Sequence, residues 1–323
     1  MLRNGFLWLL ERSSLAEIIV KNIYWRSPLL ISLRKRIASL KTKQKTVSVQ
    51  PLEFDDVITA LQKEGVVAGG ILVVHSSFRA LKGSGLTPDQ IIDKLKGLVG
   101  ESGTLAMPAI AVYPDEPQGT RKLDDSSYLQ ALEYDKDSEN IGTGLLPKFL
   151  MRREGSIRSP HPLNSMVAWG PHAKEMMSQN LKHALPTPCG VGSSWHYCYS
   201  HNATIVALGT DMAHRLTMIH VAEDAFEEEW PVGKWYRTRN YKLVGDGETK
   251  IVGVRERKHK WSICYAERSF SADLFRLGVA RHVNVSGVKV ALCKSQNLIE
   301  YLRAKRPTPY PYRISSKNFK IKG

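Results

Sequence analysis

The stretch Ile71-Leu72-Val73-Val74-His75-Ser76-Ser77-Phe78-Arg79 decides the fold class. Its first four residues are apolar without alternation, rich in β-branching and too few for a helix, which predicts a strand buried on both faces. Such a strand needs helices above and below it. Downstream, Thr87 caps a predicted helix over Pro88–Val99, and Gly103-Thr104-Leu105-Ala106-Met107-Pro108 predicts the next strand. Val167–Trp169 and Ile205–Leu208 supply two more strands, Asp55–Lys63 and Leu216–Phe226 two more helices, and residues 294–304 a closing helix. This alternation predicts an α/β protein with a central mixed sheet flanked by helices on both faces. Past 234, Trp235–Tyr241, Leu243–Val244 and Ile251–Val254, with Gly245-Asp246-Gly247 between them, predict an antiparallel meander inserted into that core.

With 42% hydrophobic and 24% charged residues in a chain of 323, disorder and collagen are excluded. The net charge of +15 sits at the ends: residues 1–50 hold ten Lys/Arg against two acids, and residues 303–323 hold seven against none. Residues 51–302 are neutral, with 29 charges of each sign. A surface that reads nucleic acid carries its charge on the fold, so no nucleic-acid partner is expected. Cys189, Cys198, Cys264 and Cys293 form no C-x-x-C pair and complete no zinc pattern, so reduced thiols and no metal are expected. No apolar run approaches the ~20 residues of a membrane span. Glu11 and Arg12 also cut the run Gly5–Leu10 short of a signal peptide's apolar region, so the expected location is cytoplasmic.

Three regions are predicted: an amphipathic basic helical extension at 1–46, a globular domain at 47–304 and a basic tail at 305–323. In the extension, Leu15, Ile18, Ile19 and Ile23 share one helix face; Leu30, Leu33, Ile37 and Leu40 share another, begun by Ser27-Pro28. Arg34, Lys35, Arg36, Lys41, Lys43 and Lys45 line the polar side. Such helices either contact an anionic membrane peripherally, at its inner face, or pack on their own domain. The Pro-rich tail is expected to be a loop or disordered.

For chemistry, His220 and Glu223 are three apart on a predicted helix and project from one face. A neutral imidazole suits proton removal from an amine near neutral pH, and a nearby carboxylate can fix its tautomer; an ordinary helix-face pair has the same spacing. His75-Ser76-Ser77 ends a buried strand, where α/β sheets open a binding crevice, and free N–H groups and hydroxyls there suit a phosphate-bearing ligand. The plain alternative is a strand-to-turn cap. Trp230, Trp235, Tyr236 and Tyr241 interleaved with Lys234, Arg237, Arg239 and Lys242 fit an RNA-binding ribbon or, more simply, an amphipathic hairpin.

Several segments then combine in one order: His75–Leu81 with Gly85, Ile141-Gly142-Thr143-Gly144-Leu145-Leu146-Pro147, Arg158-Ser159-Pro160-His161-Pro162-Leu163-Asn164-Ser165, Pro188-Cys189-Gly190-Val191-Gly192-Ser193-Ser194, and Thr217-Met218-Ile219-His220-Val221-Ala222-Glu223. Together they resemble the aminoglycoside 3-N-acetyltransferases, also called antibiotic N-acetyltransferases, over about 55–230 and more loosely over 260–302. The resemblance implies an antibiotic N-acetyltransferase-like fold with 47–304 as the acetyltransferase domain. It implies acetyl-CoA as cosubstrate, no metal, and direct attack in a ternary complex. His220 is then the general base, and Glu223 orients it or holds the acceptor ammonium. His161, beside the catalytic pocket, is a further catalytic residue, Thr217, Glu223 and Asp224 bind acceptor, and His75, Ser76, Ser77, Phe78, Gly192 and Ser193 line the coenzyme A site. Backbone donors near Ser76 and Ser77 would stabilise the oxyanion. Leu216 and Ser194 depart from the Asn and Pro usual in the family, both on the acceptor side. A neutral 51–302 suits a polycationic acceptor poorly. The reading therefore favours an amino sugar linked to a nucleotide or lipid, in surface-polysaccharide biosynthesis. Aminoglycoside resistance is the alternative, and a non-catalytic membrane-surface or nucleic-acid-binding protein is the alternative of another class. No oligomeric state is indicated.

Overall fold

A computed structural model describes residues 2–42, 51–212, 215–245 and 248–320. Its strands are β1 (Ile71–Ser76), β2 (Thr104–Pro108), β3 (Leu132–Asp135), β4 (Ser156–Arg158), β5 (Met166–Trp169), β6 (Thr204–Leu208), β7 (Tyr236–Gly245), β8 (Glu248–Arg257), β9 (Ala280–Val285) and β10 (Val288–Lys294). Among the described residues the main sheet runs β4-β5-β2-β1-β6-β10-β9. β2, β1 and β6 are parallel, with Val73 opposite Ala106 and Ile205, and the flanking strands pair antiparallel. The unalternating apolar run of β1 has its reason here: Ile71 and Val73 enter one apolar layer, Leu72 and Val74 the other. Each fully buried side chain of this kind is worth about 1.5–3 kcal/mol. The central mixed sheet covered on both faces is as expected.

The helices are α1 (Leu2–Arg12), α2 (Ser14–Arg26), α3 (Pro28–Thr42), α4 (Phe54–Lys63), α5 (Phe78–Leu81), α6 (Pro88–Val99), α7 (Leu145–Met151), α8 (Ala173–Ser178), α9 (Ser194–Ser200), α10 (His220–Asp224), α11 (Glu267–Arg276) and α12 (Ser295–Arg303). α4, α6 and α7 cover one face of the sheet; α8, α9, α10, α11 and α12 cover the other. Thr87 caps α6 with a full capping box to Gln90.

Three expectations need correction. The predicted helix Leu216–Phe226 is instead a 3-10 turn, Thr217–Ile219, followed by the short α10, so His220 heads a helix rather than sitting within one. The predicted meander is one long hairpin, β7 with β8, because alternate burial of Arg239 and Tyr241 carries a single strand through Lys242. A parallel third strand, β3, joins its outer edge, and the turn residues Asp246 and Gly247 lie outside the described residues. α11, β9 and β10 occupy a stretch in which the sequence offers no clear period.

The described part of the tail, 305–320, is irregular, as a loop is, and packs on the domain. Ala266 N–H donates to the Pro311 carbonyl, Arg313 N–H to Cys264 and Lys320 N–H to Pro231. Tyr312 is buried among Trp230, Val232, Trp235 and Trp261. Aromatic side chains between the prolines provide the burial that the basic composition conceals.

The N-terminal region forms three helices rather than two, and they pack on the domain through Leu10, Ile18 and Ile31. The buried Glu17 accepts hydrogen bonds from Arg268 N–H (3.0 Å) and Ser269 N–H (3.3 Å) in the first turn of α11. Lys21 reaches the Tyr265 carbonyl and Glu267. Leu15, Ile19, Ile23, Leu30, Leu33 and Ile37 nevertheless face outward. Lys43 and Lys45 lie outside the described residues. Among those described, no helix is long and apolar enough to cross a membrane.

Candidate active site

His220 and Glu223 face one another from a single turn of α10, His220 Nδ1 lying 3.1 Å from Glu223 Oε2. Glu223 is buried and also accepts a 2.5 Å hydrogen bond from the Tyr312 hydroxyl. Arg257, at the end of β8, lies 3.7 Å from Glu223 and donates to the Tyr312 oxygen. Burial alone would raise the Glu223 carboxyl, but His220, Arg257 and Tyr312 outweigh it and hold the group below its ordinary range. The carboxylate is thus ionised, and a carboxylate is best met by Nδ1–H; Arg257, although 3.3 Å from Nδ1, then bonds its oxygen neighbours instead. That tautomer leaves Nε2 as a lone-pair acceptor. Burial also lowers the His220 pKa, helped by Arg257 and opposed by Glu223. The resting imidazole is therefore neutral, as a base must be.

The pair lines a cavity of about 180 Å³ together with Asp224, Leu163, Asn164, Pro188, Glu256 and Arg257. Asp224 accepts from the Cys189 N–H (3.0 Å) and the Tyr236 hydroxyl (2.8 Å), both neutral donors. Burial, reinforced by the Glu223 charge, pushes its carboxyl up to about 7. Thr217 opens the 3-10 turn before His220 but is not among the cavity's lining residues. His161 is buried outside it as well: Nδ1 pairs with the Leu163 N–H (3.1 Å), and burial lowers its pKa to about 4. Leu163 and Asn164, from the same segment, line the wall instead.

The residues expected at a coenzyme site fall into two groups. His75, Ser76, Ser77 and Phe78 lie at the carboxyl end of β1 but are not among the residues lining the second cavity, of about 500 Å³, whose wall includes Glu11, Ala80, Gly209, Asp211, Arg268 and Lys289. The Ser77 N–H is not free, since it donates to the Leu208 carbonyl at 2.9 Å and continues the parallel ladder. Two other polar atoms here have no partner among the described residues, the buried His75 Nε2 and the Thr143 hydroxyl; Gly144, next to Thr143, abuts the Ser76 carbonyl. Such orphaned groups suit a polar ligand arm, and the cavity's rim offers the cations Arg268 and Lys289 beside the acids Glu11 and Asp211. Gly192 and Ser193 lie in the turn before α9: Ser193 Oγ caps that helix through the His196 N–H (3.0 Å), and Gly192 has φ +83°. Trp195 joins the two regions by stacking on His75 and donating Nε1–H to the Asn164 carbonyl at 2.7 Å.

Neither Arg257 nor Tyr312 stands out in the sequence. Arg257 is one of many basic residues alternating along a strand; Tyr312 sits in a stretch whose prolines and cations read as loop. The buried thiols of Cys189 and Cys198 are both pushed up, Cys198 to about 12, which argues against a thiolate nucleophile.

The sequence profile of the aminoglycoside 3-N-acetyltransferase family matches residues 73–305. Aminoglycoside N(3)-acetyltransferase III of Salmonella sp is 32% identical over 170 residues, 51% of this chain and 57% of that protein; the chain thus spans a little over half the length of such curated relatives. The SPbeta prophage-derived aminoglycoside N(3')-acetyltransferase-like protein YokD of Bacillus subtilis (strain 168) is 26% identical over 253 residues, covering 74% of this chain and 86% of it. In fold, the chain is similar to AAC-IIIb solved as a binary complex with CoASH, with TM-score 0.61, 22% identity, and 79% and 97% of the two chains covered. It is likewise similar to sisomicin-bound AAC-VIa, with TM-score 0.63, 21% identity, and 79% and 99% covered.

Proposed function

The chain belongs to the aminoglycoside 3-N-acetyltransferase family, and from that premise we propose that it transfers acetyl from acetyl-CoA to an amine of an aminoglycoside-type amino sugar. The observation that carries this reading is the hydrogen-bonded His220–Glu223 pair opening on a cavity. Acetyl-CoA supplies an activated acyl group. His220 Nε2 takes the proton of the attacking amine while Glu223 holds Nδ1–H and supports the imidazolium as it forms. Asp224, met by the neutral donors Cys189 N–H and Tyr236 O–H, holds the acceptor's ammonium in its ionised form, which predominates above about pH 7. His75, Thr143 and the groove between Gly209 and Lys289 bind the thioester's carrier. The Ser77 N–H is excluded as an oxyanion donor because Leu208 already occupies it.

The relatives favour an aminoglycoside acceptor over the nucleotide- or lipid-linked sugar that the neutral 51–302 suggested. Neutrality over 252 residues is a poor guide to one cleft. This cavity's wall carries the carboxyls of Glu116, Glu223, Asp224 and Glu256 against the guanidiniums of Arg237 and Arg257. The test is thiol release from acetyl-CoA in the presence of sisomicin and, separately, a nucleotide-linked amino sugar. Wild type should turn over the first, and His220→Ala should lower that rate by roughly 10²–10⁴ with coenzyme A affinity unchanged. A His220→Ala rate within threefold of wild type removes the proposed base.

A further inference from the structure

On α2, Leu15, Ile19 and Ile23 are spaced by four and half or more exposed; on α3, Leu29, Leu33 and Ile37 repeat the spacing, with Leu29 80% exposed. This spacing gathers each trio on one outward stripe. Phe6, Trp8 and Leu9 of α1 add exposed apolar surface. The inner side of the same helices is already satisfied by the domain through Leu10, Ile18, Ile31 and Glu17. Folding therefore leaves a broad apolar surface uncovered, and contiguous patches of this kind mark contact sites.

Charge selects the partner. Residues 2–42 contain eight Lys/Arg and two acids; Glu17 is turned to α11 and Lys21 to Glu267 and the Tyr265 carbonyl, which leaves seven cations against one acid. Arg26 is exposed and falls eleven residues after Leu15, on the stripe itself. Arg34 of α3 lies over the Tyr24 ring of α2 at 5.3 Å, next to Ile23 in sequence, while Arg12 and Trp8 pair at 4.5 Å along the cleft that α1 forms with α11 and the tail. Cations and aromatic rings beside an apolar stripe suit the boundary between headgroups and acyl chains. Two copies of this cationic face would repel one another, whereas an anionic headgroup layer attracts it.

We propose that α1, α2 and α3 form a docking surface for an anionic phospholipid bilayer, on which the protein lies peripherally. The attraction weakens as salt is added, because screening shortens its reach to about 8 Å at physiological ionic strength. The test is co-sedimentation of the full chain with phosphatidylglycerol/phosphatidylcholine vesicles and with phosphatidylcholine alone, at low and high salt. Binding should be strong on the anionic vesicles, weak on the neutral ones, and lost at high salt. The combined variant Leu15→Ser, Ile19→Ser, Ile23→Ser should bind at least tenfold more weakly with unchanged thermal unfolding, and Arg26→Ser about fivefold more weakly. Leu29→Ser with Leu33→Ser, on the other helix, repeats the test if the first variant is unstable. Equal binding to neutral vesicles, or wild-type binding by the folded variants, overturns the proposal. So does light scattering that finds a dimer which these substitutions dissolve, since a second copy would then cover the face.

Discussion

The proposed base works through partners contributed by three separate segments: Glu223 three residues on, Arg257 from a hairpin, and Tyr312 from the far end of the chain. Tyr312→Phe removes one donor from a buried carboxylate while keeping the ring in its aromatic cluster. A hydrogen bond to a charged group is worth about 1.5–3 kcal/mol, so turnover should fall by about tenfold or more. Tyr312 helps to hold the Glu223 pKa down, so the acid limb of the pH–rate profile should also move to higher pH; an unchanged limb would show that the hydroxyl does not act on Glu223. Asp224 gives a second prediction. Its folded-state value of about 7 lies above its ordinary 3.8, so the carboxyl is protonated below about 7, and the acceptor's KM should rise as pH falls through that value. The stability consequence has the opposite sense: what burial of the neutral acid contributes is fully present below pH 4 and lost as pH rises through 7. Asp224→Asn should therefore match wild type in Tm near pH 4, exceed it by several degrees at pH 8, and flatten the KM profile. A variant less stable than wild type at both pH values would contradict the burial argument.

Among the elements, the clearest dependence is that of α11 on α2. Glu17 places a carboxylate on the first-turn N–H groups of a helix whose own preceding residue, Ala266, has no side chain able to cap them. Glu17→Ala should cost about 1–2 kcal/mol and speed hydrogen exchange at the amides of Arg268 and Ser269 before other amides of α11; unchanged protection there would assign the cap to another group. This coupling also marks what the sequence makes legible. β1, β2, β6 and α6 are readable because local composition alone encodes them: buried β-branched runs, and a capping box. The apolar period before Glu223 reads as one helix because it runs through the 3-10 turn Thr217–Ile219, whose spacing of about 3 residues per turn is close to that of an α-helix. α11, β9 and β10 have weak local signals and are held by distant partners, β9 as an edge strand carrying Arg281, His282 and Asn284. In the same way His220, Glu223 and Asp224 were legible from one short motif, whereas Arg257 and Tyr312 reach that motif only through the tertiary fold.

Over the whole molecule, the excess charge lies at the two ends of the chain, and the fold brings those ends together: Arg313 of the tail donates to the Ser14 hydroxyl of α2 at 2.8 Å, and both pack beside α11. The two basic segments, which composition marks as appendages, therefore have different tasks. The first presents its apolar stripes to the outside; the second threads inward, where Arg306 donates to the Ala222 carbonyl on α10 and Tyr312 closes the aromatic cluster beneath the hairpin. Removing residues 305–323 would uncover Trp230, Val232, Trp235 and Trp261 and take Tyr312 from Glu223. Burial of a single large side chain in such a cluster is worth up to about 3 kcal/mol, so the truncated chain should unfold at a temperature lower by roughly ten degrees or more. Its residual turnover should also fall below that of Tyr312→Phe, because the truncation loosens α10 as well as removing the hydroxyl. The measurement is thiol release at a temperature where circular dichroism shows the truncated chain still folded. Wild-type turnover and unfolding temperature in that chain would return the tail to the status of a solvated appendage; loss of both, with Tyr312→Phe losing turnover alone, separates the tail's structural contribution from that of its one hydroxyl.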